Sequence, residues 1–128
     1  MKATLPFIED KFDEFNEEFF GGSLSRPVMK ISRARSYLGI CAYKRRRVLF
    51  KGTQLSDFRI LVNGVFDLPQ EMLEDILIHE MIHYHILSKG IRDTSPHGKI
   101  FRGIAAQINE QYGRHIRISY RLEGLAQG

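Results

Sequence analysis

Residues 67–101 read DLPQEMLEDILIHEMIHYHILSKGIRDTSPHGKIF. The apolar positions Met72, Leu73, Ile76, Leu77, Met81, Ile82, Ile86 and Leu87 recur at helical spacing and cover more than a narrow stripe. That pattern predicts a central, largely buried helix running from about Asp67 to the Lys89-Gly90 stop. Asp67 or a neighbour can cap it, Pro69 suits its first turn, and Glu71, Glu74 and Asp75 complement its positive N-terminal end. A second helix is expected to open at Ser95-Pro96, pass through Ile100, Phe101, Ile104, Ala105 and Ile108, and stop at Gly113.

The stretch holds four of the chain's five histidines. Two of them fall in His79-Glu80-Met81-Ile82-His83, an H-E-x-x-H sequence inside the first helix. Four residues turn a helix by about 400°, so His79 and His83 project from the same side and can share one zinc ion. Glu80, rotated by about 100°, can reach a water held by that ion rather than the ion itself. His85 lies on another side of the helix and is left off the metal. A catalytic zinc normally takes three protein ligands and keeps one open position. Lys89 stands where a histidine six residues after His83 would be needed, which excludes one known arrangement. Glu110, towards the end of the second helix, is a possible third ligand. His97, at that helix's start and followed by Gly98, is the better candidate, since glycine lets the metal or another segment approach closely. A di-iron reading fails because the chain has no second E-x-x-H.

Upstream, Thr4 is a plausible cap for an amphipathic helix carrying Phe7, Ile8, Phe12, Phe15 and Phe19 and ending at Gly21-Gly22. Four stretches of β character follow, at 28–32, 37–43, 47–51 and 59–63, and suggest a small, mainly antiparallel sheet with Lys44-Arg45-Arg46-Arg47 at a hairpin tip. RILVN (59–63), immediately before the histidine helix, suits an edge strand on which an extended substrate could lie. HIRISYR (115–121) alternates and is expected to form a last strand. Cys41, between Ile40 and Ala42, reads as a small buried apolar residue. Together these elements predict one α+β domain spanning residues 1–128.

The net charge of +4 conceals an asymmetry. Residues 1–25 carry two basic and six acidic side chains, whereas residues 26–59 carry ten basic and one acidic. Arg33, Arg35, Lys44, Arg45, Arg46 and Arg47 are therefore candidates for a phosphate-binding face, with Tyr37, Tyr43 and Phe50 available to stack on unpaired bases. The single cysteine excludes an internal disulfide and an all-cysteine zinc ribbon, and fits a reducing, cytoplasmic location. The opening residues turn acidic by residue 9, and no apolar run approaches the roughly 18 residues of a membrane span, so neither a leader nor a membrane association is expected.

HEMIHYHI…SPHGKIF resembles the SprT-like zinc metallopeptidases, which include the Spartan-related protease domains. The resemblance continues in FNEEFFGGSL, in SRARSYLGICAY with its Gly-x-Cys, and in RILVNGVFDLPQEMLEDILIHEMIH, and covers about residues 7 to 120. It implies a zincin-like fold and one Zn2+ held by His79, His83 and the histidine of His97-Gly98-Lys99-Ile100-Phe101. It also implies hydrolysis of peptide bonds by a zinc-bound water that Glu80 activates, later returning the proton to the leaving amine. Tyr112, Tyr84 and His115 are chemically able to stabilise the oxyanion, although each is more readily structural or exposed. The implied substrates are proteins on or crosslinked to DNA, as in DNA repair, with single-stranded DNA a candidate partner, nucleoid association open, and a monomer as the working unit. Many members carry a cysteine-rich ribbon or a DNA-binding extension that these 128 residues do not contain, which puts DNA-dependent targeting in question. Two rivals are a non-enzymatic nucleic-acid-binding module with a structural or absent metal, and a peptidase of the ImmA-like, repressor-cleaving kind. The first is disfavoured because structural zinc takes four protein ligands and has no use for Glu80. The second is disfavoured by the H-G-x-x-F segment and the basic hairpin.

Overall fold

The computed structural model describes residues 1–120 and the backbone of 126–127. Its elements are α1 (Leu5–Phe20), β1 (Val28–Ser32), β2 (Gly39–Val48), β3 (Gly52–Asn63), β4 (Phe66–Asp67), α2 (Gln70–Ser88), α3 (Lys99–Tyr112) and β5 (Ala126–Gln127). The fold is α+β, with three helices, a small three-stranded sheet and a two-stranded antiparallel pair, β4-β5, among the described residues. No helix there is long and apolar enough to cross a membrane.

The N-terminal helix forms as its sequence dictates. The Thr4 side chain accepts the Phe7 N–H, and Gly21 closes the helix in the left-handed conformation. Asn16, buried, then binds both the N–H and the C=O of Leu24 and turns the chain towards β1. Phe12 and Phe15 enter a core shared with Ile60 and Val62 of β3, with Leu73, Ile76, Leu77 and Met81 of α2, and with Phe101 of α3. Helix α2 is buried from Leu73 through Ile82 without a break, as the breadth of its apolar surface predicts. It starts at Gln70 rather than Asp67: Asp67 lies in β4, where its carboxylate pairs with the Met1 amino group.

The sheet departs from expectation in three ways. It is mixed, in the order β1-β3-β2: β1 runs parallel to β3, and β2 antiparallel to it. RILVN (59–63) is therefore part of the central strand, hydrogen-bonded on both sides, and β2 is an edge. The basic tetrapeptide lies within β2, paired with residues 53–56, and the chain turns later, through Leu49, Phe50 and Lys51. Residues 115–120 are irregular rather than a strand, and Arg121 lies outside the described residues. Their backbone is held by side chains: Asn109 binds both the N–H and the C=O of Ile116, and the Tyr120 hydroxyl accepts the Arg117 N–H.

Helix α3 begins at Lys99, later than Ser95-Pro96 suggested, because Asp93 supplies its cap from outside. The Asp93 carboxylate accepts the N–H groups of Thr94, Ile100 and Phe101, and the Thr94 hydroxyl accepts that of Lys99. Residues 93–98 thus wrap over the helix N-terminus. Gly98 has no room for a side chain there, since a Cβ would collide with Thr94 Oγ1 and Asp93 Oδ1.

Candidate metal centre

His79 and His83 stand one turn apart on α2, and the loop entering α3 brings His97 against both. The Nε2 atoms of His83 and His97 are 3.0 Å apart, and those of His97 and His79 are 3.3 Å apart. Zn–N bonds of about 2.0–2.1 Å in tetrahedral geometry put ligand nitrogens about 3.3 Å from one another, so the three rings are already spaced for one ion. Among the described residues these three form the group able to hold a metal. Glu110, the alternative third ligand, is not part of this group. His85 packs against Phe20 instead, with ring centroids 5.4 Å apart.

The surroundings set the chemical state of the rings. His79 Nδ1 lies 2.8 Å from the carbonyl oxygen of Arg117. A carbonyl only accepts, so Nδ1 carries the proton and the Nε2 lone pair points into the cluster. Burial lowers the pKa of His79 to about 4, against the raising effect of the Arg117 carbonyl, and lowers that of His83 to about 4 as well. Burial also lowers His97. All three are therefore neutral near pH 7, the form that binds metal. Phe101, fully buried, puts its ring 4.8, 4.6 and 4.9 Å from the rings of His79, His83 and His97 and forms a common floor.

Glu80 is the buried acid beside the cluster, its Oε2 3.9 Å from His79 Nε2. Burial pushes its pKa up to about 8, against a hydrogen bond from the Cys41 backbone N–H. Gly39 makes that approach possible: a Cβ there would lie 2.8 Å from the Ile76 side chain and 3.0 Å from Glu80 Oε2. The Gly39-x-Cys41 element of the sequence thus has a physical role in seating Glu80. Cys41 itself is half-buried rather than buried. Burial first, and then Glu80, push its thiol up to about 12, which leaves it protonated.

These groups line an open cleft of about 540 Å³. Gly39, Ile40 and Cys41 of β2 form one wall, and Ile86, Leu87 and Ile91 extend it with apolar surface. The outer edge of β2 has no strand partner among the described residues. None of the three residues considered as oxyanion donors lines the cleft. Tyr84 donates to the Ser25 carbonyl, Tyr112 packs on Phe19, and His115 is exposed elsewhere.

The basic residues divide. Arg33 and Arg35 lie exposed in the loop before β2, whereas Lys44 to Arg47 are exposed towards its far end. With a rise of about 3.3 Å per residue, Arg46 is roughly 23 Å along the strand from Gly39. Arg26 is engaged by Glu9 and Asp13, and Lys44 lies 3.5 Å from Asp57. Of the three aromatics, Tyr37 meets the Ser32 hydroxyl and Tyr43 packs on Phe58, while Phe50 is free of packing at the turn.

Sequence reasoning did not identify Phe101, Arg117, Cys41 or Asp93 as parts of the site. Phe101 and Cys41 had a signal only as members of the H-G-x-x-F and Gly-x-Cys segments.

The chain is 34% identical over 122 residues to the DNA-dependent metalloprotease dvc-1 of Caenorhabditis elegans, covering 92% of this chain and 32% of that protein. It is 32% identical over 115 residues to the DNA-dependent metalloprotease SPRTN of Danio rerio, covering 88% of this chain and 17% of that protein. With its human counterpart it shares 30% identity over 115 residues, covering 88% and 22%. The chain thus spans a third or less of the length of these relatives. The SprT-like family model matches residues 8–121, and the chain belongs to that family.

Proposed function

We propose that this chain is a zinc-dependent endopeptidase domain of zincin type, over residues 8–121, with His79, His83 and His97 as ligands of one zinc ion and Glu80 as the catalytic acid–base. The observation that carries the proposal is the convergence of three neutral imidazole nitrogens beside a buried carboxylate, on the wall of an open cleft with an unpaired strand edge. A non-enzymatic metal site would have no use for Glu80. Bound there, zinc would supply Lewis acidity to water and to a peptide carbonyl, and its charge would favour the ionised form of Glu80.

The chain's own groups account for the rest. Arg117 fixes the tautomer of His79, Phe101 fixes the ring planes, and the Cys41 N–H aims the Glu80 carboxylate. Glu80 takes a proton from the attacking water and delivers it to the leaving amine. The outer edge of β2, rather than RILVN, receives the substrate as an extended strand through main-chain hydrogen bonds, which tolerate many side chains. By analogy with the named relatives, we read the natural substrates as proteins held on DNA, with Arg33, Arg35 and Lys44 to Arg47 as candidate phosphate contacts and the protein working inside the cell.

The test is hydrolysis of a disordered polypeptide and of a DNA-binding protein, with and without single-stranded DNA, by the zinc-loaded chain and by Glu80→Gln. The expected result is cleavage by the wild type and a loss of at least about 100-fold in Glu80→Gln with zinc retained. Unaltered turnover in that variant would falsify the role of Glu80.

A further inference from the structure

The antiparallel ribbon formed by residues 44–48 of β2 and 52–56 of β3 ends in a turn whose two apolar residues meet solvent. Leu49 is 79% exposed and Phe50 97% exposed. Phe50 also holds a left-handed backbone, φ 65, which glycine or asparagine adopts at less cost. Folding gains nothing from this residue in this place, so its use lies outside the fold. A register shift between Ala42 and Lys44, opposite a left-handed Asp57, marks the base of the ribbon and re-aims it.

Charge identifies the partner. Arg45, Arg46, Arg47 and Lys51 surround the tip, and Asp57 is the only acid between residues 26 and 59. Cross-strand partners share a face, so Arg45 sides with Leu55 and Arg47 with Thr53. Thr53, Gln54 and Leu55 line a second cavity with Leu87 and Ile91, which also line the cleft of the metal centre. The β3 strand of the ribbon therefore shares lining residues with that cleft. A flat, solvated ring among guanidinium groups matches an unpaired base flanked by phosphates. Leu49 and Phe50, the two exposed apolar side chains at the tip, offer little to hold a lipid surface.

We propose that this ribbon is a single-stranded nucleic-acid-binding arm, in which Phe50 stacks on an unpaired base while Arg45, Arg47 and Lys51 hold the neighbouring phosphates and lead the strand towards the cleft. The inference rests on the nucleic-acid part of the function proposed above and gives it a location.

The experiment is fluorescence anisotropy of the intact, zinc-loaded chain with a labelled oligothymidine, a blunt duplex of equal length, and phosphatidylserine vesicles, over a salt series. Phe50→Gly, which relieves the left-handed strain and so keeps the fold, should bind the oligothymidine about ten-fold more weakly, and Phe50→Trp should restore binding. Arg45→Ala with Arg47→Ala should lower the slope of log affinity against log salt by about 1.4. Equal binding of the oligothymidine by wild type and Phe50→Gly overturns the proposal. So does Phe50-dependent binding to vesicles alone, which assigns the arm to a lipid surface. Cleavage of a disordered polypeptide by the unaltered chain, without nucleic acid, is measured alongside. Cleavage together with Phe50-independent binding overturns this inference and leaves the peptidase reading. Phe50-dependent binding without cleavage supports the arm and counts against the peptidase.

Discussion

Phe101 touches all three histidine rings and is fully buried, so its removal leaves a cavity directly beneath the metal site. Phe101→Ala should cost about 3–5 kcal/mol of stability and weaken zinc binding, read by chelator competition against the folded fraction. A variant that loses stability but holds zinc as tightly as wild type would leave Phe101 a core residue only. Gly39 is the second sensitive point, because any Cβ there meets the Glu80 carboxylate and Ile76. Gly39→Ala should lower kcat with zinc content unchanged. At this scale the sequence is legible where the relation is local. His79, Glu80 and His83 are tied by the helix turn, and His97 by a single loop. Cys41, Arg117 and Gly39 meet the site through tertiary approach, for which spacing along the chain carries no signal.

At the scale of elements, two devices hold the three histidines in place. Residues 114–120 carry the Arg117 carbonyl, and Arg114 anchors them to α2, its Nε 2.6 Å from Asp75 and its Nη2 2.9 Å from Glu74. Arg114→Met takes from buried Asp75 its ion-pair partner, while Glu74 keeps Gln70 and Lys11, and should cost about 3 kcal/mol, measured by urea denaturation. The second device is the Asp93 cap, which holds the loop carrying His97. Burial alone would raise the Asp93 pKa, but the N–H donors of Phe101, Ile100 and Thr94, with the Thr94 hydroxyl, outweigh it and hold the carboxyl below its ordinary value. Its stabilisation is therefore complete above about pH 4, the unfolded value. It is lost as pH falls through the lower folded value, because the unfolded chain takes up the proton first. Asp93→Ala should melt below wild type at pH 7, and the gap should close as the pH is taken below 4. A gap independent of pH would contradict the cap. The three helices were legible from periodicity and terminal glycines, and α1 also from its Thr4 cap. The sheet was less so. Four adjacent charges resemble a turn, but paired strands of an exposed ribbon tolerate them, and the true turn at Leu49–Lys51 uses a phenylalanine in a conformation no propensity predicts.

Across the whole molecule, the features sort along the sheet. The metal centre and Gly39 lie at one end of β2, and the basic ribbon with its exposed tip lies at the other. The charge asymmetry of the sequence foretold a basic region but not its division, since ion pairing of Arg26 with α1 depends on the tertiary fold. Metal and fold are linked, because an ion that binds only the native arrangement of three ligands stabilises it. Zinc at 100 times its Kd should add about 2.7 kcal/mol, seen as a fall in Tm when a chelator is added. The most direct test of the account is a zinc titration of the purified chain, monitored by elemental analysis and by competition with a chromophoric chelator. One zinc per chain is expected in the wild type and in Glu80→Gln, with affinity collapsing in His79→Ala, His83→Ala and His97→Ala alike. No bound zinc in the wild type, or full affinity in His97→Ala, would contradict it.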